Sequence, residues 1–361
     1  MNRLLVIRFS ALGDVAMTVP VVQAVAKANP QLNITILTRS RTAALFAWMP
    51  NNVTVAGIDL SQYKGITGLE RLFHTLKDGH YDAVADLHDV LRSKYLRTRF
   101  RMEGAQVAVI NKGRKDKKAL IGHGLTHPTL THNTQRYLQV FTQLGLPIAP
   151  LTPITTTNTP TSAVPTTNTS ASAVPTTNTS ASIVSAARFS LAAAPTSPLI
   201  GIAPFAAHKG KIYPTQLMQQ VVNTLADSGN QILLFGSPGH EAQTLKTWER
   251  NNVTAVAGQL NSLADELQLM SKLNLMISMD SSNMHMAAIV GTQTISIWGA
   301  THPKAGFTAW DQDDDTILQI PMDCRPCSIY GNKPCTRGNY PCLTQITPQN
   351  IIDKARQYGA K

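Results

Sequence analysis

Strand-like and helix-like stretches alternate along this chain twice, once on each side of a segment that carries no charge. Leu4–Arg8 reads as a first strand, followed by a turn at Ser10–Asp14 and a helix with apolar Val15, Val19, Val22 and Val25. Leu32–Leu37, Ala83–Leu87 and Val107–Ile110 read as further strands with helical stretches between them, and a helix follows around Thr134–Leu144. The second series begins with a strand at Leu199–Ala203 and a helix at Pro214–Leu225 with a proline in its first turn. Strands at Ile232–Phe235, Leu275–Met279 and Thr294–Trp298 then alternate with helices at Glu241–Arg250, Ala264–Met270 and Met284–Val290. Such alternation predicts an α/β chain with parallel sheets covered by helices. Two doubly wound units would each present a site outside the carboxyl ends of their strands, and the expected arrangement has them facing a common cleft.

Between the series, residues 151–187 contain no charged side chain. The ten residues from Ser162 to Ala171 recur unchanged from Ser172 to Ala181, and a degenerate copy precedes them. Thr, Ser, Ala, Pro and Asn offer little apolar surface to bury, so this stretch is expected to be a flexible linker or loop insertion. The predicted organisation is therefore 1–150, a linker at 151–197, and 198–361.

Of 361 residues, 43% are hydrophobic, which suits two globular domains and argues against global disorder. No apolar run is long enough to cross a bilayer, and Leu4–Ile7 is too short for a signal-peptide core, so the expectation is a cytoplasmic protein. The formal charge is +11, and residues 1–150 hold 19 basic against 9 acidic side chains, which leaves the remainder near neutral. A basic half calls for an acidic partner: nucleic acid, anionic headgroups or a substrate with carboxylates and phosphates. Aromatic residues make up only 6% with no stacking cluster, which argues against nucleic acid.

The common nucleotide fingerprints are absent. Gly13 stands alone after the first strand, no acidic residue ends the second, and no phosphate-loop motif occurs. Three strand-to-helix turns carry the chemistry instead. In the first, Arg8, Ser10, Gly13 and Asp14 lead into a helix; a carboxylate there is kept ionised by the helix dipole and could accept a proton, or could simply cap the helix. In the second, Asp280, Ser281, Ser282 and His285 open a helix whose amides suit a diphosphate, with His285 alternatively a core residue. In the third, Lys209 and Lys211 precede Pro214; lysine is a mobile point charge suited to phosphate, and a basic surface loop is the alternative.

Together, in this order and with the segment at 299–303, these turns resemble the ADP-heptose:lipopolysaccharide heptosyltransferases, glycosyltransferase family 9. The resemblance covers the chain apart from the repeats. It implies the GT-B fold, an inverting mechanism and no cofactor or metal in catalysis. It implies Asp14 as general base and Lys211, Asp280, Ser281, Ser282 and His285 as donor contacts, with Lys209 and Glu241 weaker candidates. Ser10, Arg92, Ser93, Lys94 and Arg136 are the expected acceptor contacts. The implied partners are a nucleotide-sugar donor, ADP-heptose by resemblance, an acidic lipopolysaccharide-type acceptor and an anionic inner-membrane surface. Ser282 departs from a common glycine in the donor loop, and Ala206 and Ala207 replace hydroxyl residues, so the sugar and nucleotide stay open: another nucleotide sugar, or a nucleotide-binding protein that transfers nothing, are the rival readings.

All four cysteines fall in one cluster, Cys324, Cys327, Cys335 and Cys342. Four thiolates could close a tetrahedral zinc site, while free or redox-active thiols are the alternative.

Overall fold

The structure is a computed structural model that describes residues 1–157 and 197–361. The repeat segment lies outside the described residues. Two compact units emerge. The first holds Met1–Lys112, the residues from Asn133 to position 157, and Ser262–Ala264; the second holds Gly113–His132, residues 197–261 and Asp265–Lys361. The sequence predicts 113–132 in the first domain. Its backbone bonds go elsewhere: Gly124 N donates to Arg325 O at 2.8 Å and Leu130 N to Lys304 O at 2.9 Å.

In the first unit, β1 (Arg3–Ile7), β2 (Asn33–Arg39), β3 (Val53–Ile58), β4 (Ala83–Asp86) and β5 (Gln106–Val109) form a parallel sheet in the order β3-β2-β1-β4-β5. Leu4, Leu5, Val6 and Ile7 are all buried, so β1 is covered on both faces, which explains its unbroken apolar run. One face packs on Leu72 and Phe73 of the helix Gly65–Lys77 and on Leu96 and Phe100 of the helix Leu91–Met102. The strand order reverses at β1 and β4, so their exits open a crevice.

The second unit repeats the plan with six parallel strands: β6 (Leu199–Ala203), β7 (Gln231–Leu234), β8 (Val253–Ala255), β9 (Leu275–Met279), β10 (Thr294–Trp298) and β11 (Ile317–Gln319). Their order is β11-β10-β9-β6-β7-β8, which places the reversal between β6 and β9. The turns carrying Lys211 and Asp280 leave those two strands. Pro214 is the cap residue of the helix Thr215–Asp227, one position before its expected place in the first turn. That helix buries Met218, Val221, Val222 and Leu225 in the core, and the closing helix Pro348–Gln357 adds Ile351, Ile352 and Ala355. Tyr213 ties the strand exit to this core by donating its hydroxyl to Ile346 O at 2.7 Å.

Candidate functional site

Each unit gathers charge at its own switch point. In the first, β1 delivers Arg8, which is 5% exposed, and the short helix Leu12–Ala16 delivers Asp14. Arg8 Nη2 lies 2.7 Å from Asp14 Oδ2, and Arg8 Nη1 donates to Leu87 O at 2.5 Å. The guanidinium also sits 5.6 Å from the centre of the Tyr137 ring. Burial opposes the Arg8 charge, but Tyr137 and Asp14 outweigh it and hold the group above its ordinary range. The other Asp14 oxygen accepts from Asn133 Nδ2 at 3.4 Å, and Ala11 N reaches Oδ2 at 3.3 Å. The capping alternative is thus realised. With 27% of its side chain exposed, the carboxylate is gripped from one side and open to solvent on the other.

Ser10 and His88 complete this corner. Ser10 Oγ and His88 Nε2 are 3.4 Å apart, and the ring stands edge-on to Phe9 at 5.8 Å. His88 is buried, and its Nδ1 has no hydrogen-bond partner among the described residues. Burial above all, with Arg8, Lys112 and Arg39 adding to it against Asp14, pushes the imidazole down to about 3. The sign of the linkage is definite. Unfolded chains bind a proton at this histidine as pH falls through about 6.5, whereas the folded chain refuses it until near 3, so stability is lost across that interval. His302, pushed down to about 4 by burial with Arg325 and Lys304, adds to the same slope. His88→Gln is expected to flatten the dependence of unfolding free energy on pH between 6.5 and 4; an unchanged slope in urea titrations would remove His88 from this role.

The expected acceptor residues fare differently. Ser93 is fully buried, and its hydroxyl accepts from Val90 N at 3.0 Å and donates to Val90 O at 3.1 Å. It caps the helix Leu91–Met102 and has no surface for a ligand, which corrects its assignment. Arg136, 6% exposed, donates to Asn111 O at 3.0 Å and braces the exit of β5 from within. Arg92 is exposed, and Lys94 lies 3.8 Å from Asp89. Much of the basic run is paired internally: Arg97 with Asp86 at 2.6 Å and Asp89 at 3.1 Å, and Arg99 with Glu70 at 2.7 Å.

In the second unit, Lys211 Nζ lies 3.1 Å from Asp280 Oδ2, and Thr301 Oγ1 donates to Asp280 Oδ2 at 2.7 Å. The Lys211 stem rests on Gly331, where an added Cβ would come within 2.6 Å of Lys211 Cγ. Gly299 permits the turns after β6 and β10 to touch: a Cβ there would meet Gly210 O at 2.5 Å, and Ala300 N donates to that same oxygen at 2.7 Å. Ser281 caps the helix Ser282–Ile289 by position only, making no side-chain cap bond; its hydroxyl lies 3.2 Å from Ser278 Oγ. Its side chain thus leaves the first-turn amides uncapped. Ser281, Ser282 and Asn283 are partly exposed, and His285 is buried one turn further in. Lys209 is exposed. Glu241 accepts from Ser237 N at 2.7 Å and so ties down the turn after β7.

Nothing in the sequence singles out Arg325, Thr301, His88 or Asn133. Arg8 and Thr301 at least lay inside its motifs. Arg325 is completely buried and donates to Gly299 O, Ile320 O and Thr301 O at 2.5, 2.6 and 2.9 Å; burial chiefly pushes it down to about 10. The four cysteines are free thiols, with Cys342 buried. Burial and the neighbouring sulfurs push Cys327 up, and burial pushes Cys342 up to about 11. Among the described residues, no group of three or more His, Cys, Asp or Glu stands in a metal-holding arrangement.

The family model for glycosyltransferase family 9 (heptosyltransferase) matches residues 69–336. The chain belongs to glycosyltransferase family 9. The lipopolysaccharide heptosyltransferase 1 of Pseudomonas aeruginosa is 22% identical over 97% of this chain and 96% of its own length. The lipooligosaccharide heptosyltransferase 2 of Haemophilus influenzae is 28% identical over 45% of this chain, and the match spans about half of that relative, 48%. The solved Escherichia coli heptosyltransferase WaaC, 18% identical, superposes with a TM-score of 0.64 over 99% of this chain and all of its own. The two parallel α/β units are those of the GT-B class, as the sequence predicts.

Proposed function

We propose that this family 9 glycosyltransferase moves a heptose from ADP-heptose to an acidic lipopolysaccharide inner-core acceptor with inversion at the anomeric carbon. The observation that carries the reading is Asp14: a partly exposed carboxylate at the exit of β1, held by Arg8 and Asn133 so that one side stays open. In this reading an acceptor hydroxyl gives its proton to Asp14 while its oxygen bonds to the anomeric carbon. The bond from that carbon to the diphosphate breaks, and the leaving negative charge meets Lys211 and the open amides of the helix Ser282–Ile289. Lys211 and that helix end supply the positive charge that this step needs, with Asp280 and Thr301 holding the lysine in place. Ser281, Ser282 and His285 complete the donor loop, with Lys209 and Glu241 at its edge.

The choice of donor is supported by WaaC, solved with ADP and with ADP-2-deoxy-2-fluoro heptose. The choice of acceptor is supported by the relatives' names and by the positive excess of residues 1–150, with Arg92 and Lys94 exposed. The same excess fits work at an anionic inner-leaflet surface of the cytoplasm. No helix among the described residues is long and apolar enough to cross a membrane. The deciding experiment offers ADP-heptose and truncated lipopolysaccharide to the full chain and compares ADP, UDP, GDP and NAD in binding. Transfer with preference for ADP supports the reading; preference for UDP or GDP points to another sugar, and transfer of nothing sinks it.

We also propose that Cys324, Cys327, Cys335 and Cys342 draw together around a structural zinc ion, a rearrangement from the free thiols described above, which do not stand in a metal-holding arrangement; the support is the chemistry of the donor set, four sulfurs within one stretch of a protein read as cytoplasmic. The expected result is about one zinc per chain by elemental analysis, lost in a Cys324→Ser/Cys327→Ser variant. Purification without zinc and with four titratable thiols would overturn it.

A further inference from the structure

The turn after β10 is held from beneath over its whole length. The carbonyls of Trp298, Gly299 and Thr301 accept from the Arg325 side chain at 3.4, 2.5 and 2.9 Å, and that of Ala300 accepts from Cys327 N at 2.8 Å. Four consecutive carbonyls are thus fixed by one buried guanidinium and a nearby amide. Arg325 is itself anchored on the far side by Ile320 O at 2.6 Å and Gln319 Oε1 at 3.0 Å, so it uses both edges of its planar fork. No carboxylate is among these partners. Such a guanidinium shapes backbone rather than forming an ion pair.

What the turn presents on its other side is the donor constellation. Ala300 N holds Gly210 O, the residue before Lys211, and the Thr301 hydroxyl holds Asp280, which pairs with Lys211. Arg325, Thr301 and Asp280 are 0%, 1% and 5% exposed, while the Lys211 side chain is 16% exposed. A buried chain of contacts therefore ends on one ammonium at the surface.

We propose that Arg325 is a positioning residue for the donor site: it locks residues 298–301 so that Thr301 and Gly210 set the direction in which Lys211 points. The inference rests on the reading of Lys211 as the donor-phosphate contact. Arg325 touches no substrate in this scheme. It acts through Thr301, and preorganisation of Lys211 is what it contributes.

The test measures ADP binding by calorimetry and donor KM and kcat in the full chain. Thr301→Val keeps the shape and removes the hydroxyl; about tenfold weaker ADP binding is expected, with Thr301→Ser restoring it. Arg325→Lys places one ammonium where a fork spanned several carbonyls, and a similar weakening is expected, falling on donor KM more than on kcat. Because both changes act on one chain of contacts, the double variant should be no more than about twofold worse than the weaker single variant. Effects that multiply would overturn the proposal, as would unchanged affinity in Thr301→Val, and the latter decides the matter even if Arg325→Lys does not fold. Lys211→Met separates the two levels. If it weakens ADP binding while Thr301→Val does not, only the role of Arg325 falls; if it binds ADP normally, the donor-site reading falls and takes this inference with it.

Discussion

Asp14→Asn is expected to lower kcat by roughly 10²- to 10⁴-fold while leaving ADP affinity within about twofold, because general-base assistance is worth that much and the amide cannot accept the acceptor's proton. The geometry makes this a clean comparison. Asparagine fits the same space and can still accept from Arg8 through one oxygen, so the corner keeps its shape. It does lose the negative charge that offsets a buried guanidinium, and a destabilisation of about 1–3 kcal/mol should appear in urea unfolding. Measuring stability and turnover on the same sample separates the two effects: activity is assayed far below the unfolding midpoint. A variant that folds, binds ADP and turns over at the native rate would strip Asp14 of its role. A variant that merely unfolds early, with native turnover when cold, would leave it as the helix-capping residue that Ala11 N also makes it.

Lys211→Met is expected to weaken ADP binding by roughly 10- to 100-fold, the range for a lost hydrogen bond to a charged group of about 1.5–3 kcal/mol. The surroundings argue for the upper end. In the native protein Lys211 and Asp280 are partners at 3.1 Å, and Asp280 is nearly buried. Methionine removes the ammonium and leaves the carboxylate facing an anionic diphosphate. Lys211→Met/Asp280→Asn should therefore bind ADP better than Lys211→Met alone. If the double variant binds worse than the single one, Asp280 makes an attractive contact of its own and the account of Lys211 as its charge partner fails.

The parallel sheets were legible because buried strands in α/β units read as short apolar runs between amphipathic helices. β6, β9 and β10 match their expected bounds residue for residue. β3, β8 and β11 do not stand out: β8 and β11 are three residues long, too short for periodicity to register, and β3 mixes Thr54, Ala56 and Gly57 into a six-residue run. The closing helix Pro348–Gln357 is absent from the predicted elements, although its proline and its Thr347–Asn350 capping pair are sequence signals. In the site, residues attached to strand exits were found, since topology alone places them. Residues that act from a distance in sequence were not. Arg325 reaches the turn after β10 from more than twenty positions downstream, and Asn133 reaches Asp14 across 119. Ser93 shows the opposite error: in the sequence, a serine between two basic residues looks like a ligand contact, whereas the backbone needed it as a cap.

The excursion formed by residues 113–132 sets a rule for anyone recombining such enzymes. It leaves the first half of the sequence and closes over the second unit, with Lys117 stacked 4.3 Å from the Phe307 ring and Gly124 pressed against His302 and Arg325. Chimaeras spliced at the repeats would transplant a core with its cover missing. Exchange of specificity between homologues has to move two separate stretches of gene, and parental hybrids cut once should be sought only where both parents share this cover.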